Sequence, residues 1–218
     1  MTTENDVISA IQSGDVAAVR KLLQENPALA SAKDANGVSA LMHAYYRRQP
    51  EIADLLVKAK SDLDIFEATA ADKLERVSEI LKNDPDSAKR WSADGFTALH
   101  FAAFFNRLEI ARALVRHGAE IAAVAKNPMK VTPLHSAAAA HSREIVRLLL
   151  EQGAPADAQQ QGGWTALHEA ANIGDTEMVR DLIQHHADPL ARNDEGKTPA
   201  DMAGARGHTE ILQLLSAA

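Results

Sequence analysis

The sequence predicts an all-α repeat solenoid, and three observations predict it. A four-residue motif recurs along the chain at near-constant spacing, and periods of this length are the mark of stacked repeat architectures. Each copy is followed by small residues, a break and an amphipathic helical pattern. Of 218 residues, 42 are alanine and 22 leucine, while only nine are aromatic. That composition packs helices closely through small side chains. It lacks the β-branched and aromatic residues on which a sandwich or barrel core depends.

The motif is Thr97-Ala98-Leu99-His100, repeated as Thr132-Pro133-Leu134-His135 and Thr165-Ala166-Leu167-His168. Altered copies are Thr198-Pro199-Ala200-Asp201 and Ser39-Ala40-Leu41-Met42. The Thr-to-Thr spacings are 35, 33 and 33 residues. A period near 33 with Thr-Pro-Leu-His-x-Ala resembles the ankyrin repeat family, over essentially the whole chain. The resemblance implies a short β-hairpin finger and two antiparallel helices per repeat, stacked into a curved solenoid.

The residue chemistry fits each place. Thr or Ser caps the first helix, and Pro133 and Pro199 sit where a missing N–H costs nothing. Gly174 and Gly207 end the first helix, and Gly118 and Gly153 follow the second, where left-handed residues are favoured. Gly37, Gly95, Gly163 and Gly196 precede the Thr or Ser by two residues, at the finger turn.

Taken in order, one domain over 1–218 divides into seven units. A capping helix pair at about 4–33 is followed by units at about 34–64, 65–91, 92–125, 126–158, 159–191 and 192–218. Asn26-Pro27 aligns with Asp84-Pro85 at an offset of 58, about eight residues short of two repeats. The shortage falls between Asp62 and Phe66, so the third unit is expected to lack its finger. A continuous stack is expected, the alternative being two sub-stacks with a flexible junction at Lys60–Phe66. The last unit carries Ala200 and Asp201 in place of Leu and His, as suits a polar cap.

Charge and composition narrow the function. Lys plus Arg is 23 and Asp plus Glu is 30, a net charge of −7 spread evenly along the chain. No basic face for nucleic acid and no polybasic membrane segment is visible. The absence of cysteine excludes disulfides, thiolate zinc sites and a cysteine nucleophile. The opening Met-Thr-Thr-Glu-Asn-Asp lacks a signal-peptide pattern, and no stretch reaches bilayer length, so a cytoplasmic protein is expected.

No nucleophile elbow, phosphate loop or zinc-protease motif occurs, so no enzyme and no cofactor is expected. The resemblance implies that His100, His135 and His168 bond backbone and Thr hydroxyls near neighbouring fingers. His185-His186 with Asp188, and His141, are the residues a metal-binding or catalytic alternative would use. Yet His186 stands where Gly118 and Gly153 stand, and adjacent helix positions face apart.

The aromatics carry the functional expectation. Trp91, Phe96, Phe101, Phe104 and Phe105 fall within fifteen residues. The resemblance implies that finger and helix-one positions line a concave groove that meets the partner. Phe96, Phe104, Phe105 and Trp164 are expected to be exposed there with Met129, Tyr46 and Arg47. Trp91 and Phe101 are expected to pack. A protein partner is expected, with a basic rim to match the net acidity. A dedicated inhibitor or immunity protein for one enzyme is the narrower alternative. A monomer is expected, a homodimer through the aromatic strip being the other possibility.

Overall fold

A computed structural model describes residues 3–217. Among them are seven helix pairs: α1 (Glu4–Ser13) with α2 (Val16–Glu25), α3 (Ala40–Tyr46) with α4 (Pro50–Ala59), and α5 (Ile65–Ala70) with α6 (Leu74–Asn83). Then come α7 (Ala98–Phe104) with α8 (Leu108–Arg116), and α9 (Pro133–Ala139) with α10 (Arg143–Glu151). The last are α11 (Ala166–Ile173) with α12 (Thr176–Gln184), and α13 (Pro199–Arg206) with α14 (Thr209–Ala217).

The second helix of every pair buries two apolar side chains four residues apart, one turn above the other. They are Val19 and Leu23, Ile52 and Leu56, Val77 and Leu81, Ile110 and Leu114, Ile145 and Leu149, Met178 and Leu182, Ile211 and Leu215. The first helix offers small residues, such as Ala98, Ala102 and Ala103, all wholly buried. First helices therefore pack on one another without interruption, α1 on α3, then α5, α7, α9, α11 and α13.

The turn between the two helices holds one left-handed residue in each pair. It is glycine at Gly14, Gly174 and Gly207, but Arg48, Asp72, Asn106 and His141 elsewhere. Gly174 is required on packing grounds too, because a Cβ there would lie 2.6 Å from the His208 ring.

The fingers are tight turns rather than two-stranded hairpins. Each closes on two backbone bonds, as where Ser92 N–H donates to the Phe96 carbonyl at 2.8 Å and Gly95 N–H to that of Ser92 at 3.0 Å. Among the described residues the only β pairing is two isolated antiparallel bridges, Lys33 with Ser39 and Trp91 with Thr97. A turn this short leaves no room for a ladder. Successive fingers are tied by single backbone bonds: Lys126 N–H to Gly95 O at 2.8 Å, Gln161 N–H to Met129 O at 2.9 Å, Asp194 N–H to Gly162 O at 3.0 Å.

Only residues 60–64 separate α4 from α5, against 117–132 between α8 and α9, so the third pair has no finger. Lys60 and Glu67 fill part of that place as a buried pair, with Lys60 Nζ 2.6 and 2.7 Å from the two carboxylate oxygens. Glu67 also accepts from the Asp64 N–H at 3.2 Å, which closes a capping box on α5. The fingers on either side approach each other across the gap: a Cβ on Gly37 would lie 3.2 Å from that of Ala93.

Candidate functional site

The three motif histidines form one repeated network. His100 Nδ1 accepts from the Thr97 backbone N–H at 3.2 Å and lies 2.8 Å from its hydroxyl. Its Nε2 is 3.1 Å from the Val131 carbonyl of the next finger. His135 reaches Trp164 O at 3.1 Å and His168 reaches Lys197 O at 3.0 Å. A backbone N–H only donates and a carbonyl only accepts, so each ring is the neutral tautomer with its proton on Nε2. Burial holds all three pKa values below the ordinary histidine range, that of His100 at about 4. These rings join repeats; both nitrogens are committed.

The network needs two fingers, its own for Thr and the following one for the carbonyl. Six residues before the left-handed turn, where His100 precedes Asn106, the second and third pairs carry Met42 and Phe66. The missing finger removes the acceptor for the first and the Thr for the second. Met42, Ala70 and Phe101 instead form a small apolar cluster, with Val38, Tyr45, Phe66, Phe96 and Phe105 against it.

Beside this cluster lies an apolar cavity of about 360 Å³ on the finger and helix-one side. Its lining includes Tyr46, Phe96, Phe101, Phe104, Met129 and Ala139. Tyr46 is 38% exposed, Phe104 45% and Met129 52%. The Tyr46 hydroxyl donates to Asp94, which ties the end of α3 to the finger of the fourth pair. Its ring also comes within 6.4 Å of Phe101. That part of the lining is thus borrowed from two units away, across the fingerless pair.

Four of the seven expected residues meet here: Tyr46, Phe96, Phe104 and Met129. The other three lie outside this lining. Phe105 is half-buried between Tyr45, Phe101 and Phe104, with centroids at 5.5, 6.4 and 5.2 Å, so it is packing. Trp164 is half-buried against the main core, its ring 6.0 Å from His168, and does not line the cavity. Arg47 is exposed but donates to the Gln12 carbonyl at 3.3 Å and also lies outside the lining. Phe96 is half-buried rather than open, 5.6 Å from Phe101. Phe101 is 3% exposed, as expected of packing, yet it is also part of the cavity lining. Trp91 is half-buried beside the gap, with Lys126 Nζ 4.3 Å above its ring.

Sequence reasoning missed Ser136 and Gln160, which also line the cavity. Ser136 holds the place of Phe101 one unit on, so the repeat register was the signal that could have found it.

The other candidate set does not assemble. His185 Nδ1 is spent on the Asp181 carbonyl at 2.8 Å. The backbone at His186 is left-handed, as at Gly118 and Gly153. Among the described residues no three His, Asp or Glu side chains converge as metal ligands, and no helix is long and apolar enough to cross a membrane.

Comparison with known proteins agrees with this architecture. A family model described as ankyrin repeats (3 copies) matches residues 65–160 and 152–218. The chain is 34% identical over 117 residues to human protein phosphatase 1 regulatory subunit 27, covering 54% of this chain and 75% of that one. The mouse protein of the same name is 37% identical over 117 residues, with the same coverage. Ankyrin repeat and SAM domain-containing protein 6 of rat is 33% identical over 130 residues, 55% of this chain and 15% of its own length. The chain belongs to the ankyrin repeat family.

Proposed function

We propose that this chain is a non-enzymatic protein-interaction module whose partner enters the cavity walled by Tyr46, Phe96, Phe104 and Met129. The observation that carries this is the cavity itself. Three aromatic side chains and a methionine stand open or half-open around about 360 Å³ of apolar space. Concentrated apolar exposure of this kind is uncommon on a monomer and marks a contact surface. Aromatic anchors set in a pocket are the usual seat of binding energy. The buried histidines are all committed to structure, so none of them is free to act as a general base.

A narrower reading, regulation of one enzyme, is favoured by the similarity to a phosphatase regulatory subunit. We also propose a monomeric state, since a net charge of −7 opposes self-association.

The test is partner capture from native extract by the wild type and by the Phe104→Ala, Met129→Ala variant. Loss of the captured protein with an unchanged helical spectrum supports the groove. Equal capture removes it. One stoichiometric enzyme among the captured proteins supports the regulator reading, and many unrelated proteins count against it. Light scattering reports the oligomeric state.

A further inference from the structure

The charged residues that adjoin the cavity lining in sequence are mostly cations, although the whole chain is acidic. No lining residue carries a formal charge, because His100 and His135 have both ring nitrogens engaged. The charged residues within two positions of the lining are Arg47, Arg48, Lys130 and Asp94. Asp94 accepts from the hydroxyls of Tyr46 and Ser92, so one carboxylate stands against three cations there. Arg47 donates to the Gln12 carbonyl at 3.3 Å, and among the described residues none of the three cations has a carboxylate partner, although fourteen Lys or Arg contacts with carboxylates form elsewhere.

Backbone conformation sets two of these cations apart. Arg48 has φ 54° and Lys130 φ 51°. Arg48 stands in the turn that holds Gly174 and Gly207 but also Asp72, Asn106 and His141, whereas Lys130 stands where the other fingers carry Gly37, Gly95, Gly163 and Gly196. The left-handed region is disfavoured for long side chains and easy for glycine. Of the six non-glycine residues with positive φ, these are the two permanent cations, and each lies within two positions of a lining residue. Strained backbone collects where a side chain serves binding.

We infer that the groove takes an acidic peptide segment, one bulky uncharged side chain in the apolar cavity and Asp or Glu on either side of it facing Arg47, Arg48 and Lys130. This rests on the groove reading above and reverses the basic rim expected from net charge. The reversal follows from screening: the Debye length is about 8 Å at physiological salt, so cations beside the cavity outweigh carboxylates spread over the rest of the surface.

The test selects a random peptide display library on three proteins: the wild type, the variant Arg47→Glu, Arg48→Glu, Lys130→Glu, and the groove variant Phe104→Ala, Met129→Ala. The wild type is expected to enrich peptides with Asp or Glu flanking a single Leu, Met, Phe or Trp. The charge-reversed protein is expected to enrich Lys and Arg at those flanks. An enriched acidic peptide should bind it at least about tenfold more weakly than the wild type. Neutral or basic flanks on the wild type, or a selection unchanged by charge reversal, overturn this inference and leave the groove reading standing. Enrichment equal on the groove variant, or none on the wild type, overturns the groove reading and this inference with it. Circular dichroism checks each variant, and the milder Arg47→Ala, Lys130→Ala replaces the triple change if that does not fold.

Discussion

His100 Nε2 lies 3.1 Å from the carbonyl oxygen of Val131, a bond that crosses from one repeat to the finger of the next. The ring is neutral, and burial holds its pKa at about 4. The unfolded chain titrates this group near the ordinary value of about 6.5. Between those two values the unfolded state binds a proton that the folded state refuses, so stability falls as pH falls. His135 and His168 shift in the same direction and add to the slope. Urea midpoints should therefore be level above about pH 6.5 and decline toward about pH 4. A level midpoint across that range would contradict the tautomer argument.

Truncating the ring should be costly at any pH. His100→Ala leaves the Val131 carbonyl and the Thr97 donors unmet in a buried site. A loss of about 2–4 kcal/mol in unfolding free energy is expected from the unpaired groups and the cavity. Denaturant melts of His100→Ala beside the exposed His186→Ala provide the contrast.

Left-handed positions yield two opposite outcomes. His141→Gly and Asn106→Gly should each stabilise by about 0.5–1 kcal/mol, since φ of 55° suits glycine better. Gly174→Ala should destabilise by about 1–3 kcal/mol, because φ is 81° and the new methyl meets His208. Thermal unfolding of the three variants measures both signs.

The Lys60–Glu67 pair should be worth more intact than broken. Removing one partner, as in Lys60→Met, leaves Glu67 buried and unpaired and should cost about 3–5 kcal/mol. Adding Glu67→Gln removes the stranded charge and should recover part of that loss. A double-mutant cycle reads the coupling, and additive losses would show that the pair contributes nothing.

Two neighbouring aromatics should separate binding from stability. Phe101→Ala empties a buried site and should cost about 3–5 kcal/mol. Phe104→Ala removes a half-open ring, so its cost should stay under about 1 kcal/mol while partner capture falls.

The repeat register was legible because the capping Thr, the left-handed turn and the buried Leu each impose a residue type at a fixed place. The missing finger was legible as arithmetic between Asn26 and Asp84. What the sequence did not reveal was where neighbouring side chains turn. Phe104 and Phe105 are adjacent, yet one faces the cavity and the other packs on Tyr45, because successive helix positions point about 100° apart. Tyr46 was expected in the groove, but its reach to Asp94 depends on the third pair being short, a three-dimensional consequence of a deletion. Trp164 lies outside the cavity because its ring packs against the core beside His168.

The fingerless pair also states a rule for anyone rebuilding this chain. An imidazole at the motif position is the property of a junction, not of a repeat. Grafting a finger between Asp62 and Ile65 would supply a new hydroxyl donor and a new carbonyl at once, and both would stay idle until Met42 and Phe66 became histidine. The same graft would push Asp94 away from Tyr46 and dismantle the cavity wall. Regularising the architecture and preserving its pocket are, for this molecule, mutually exclusive aims.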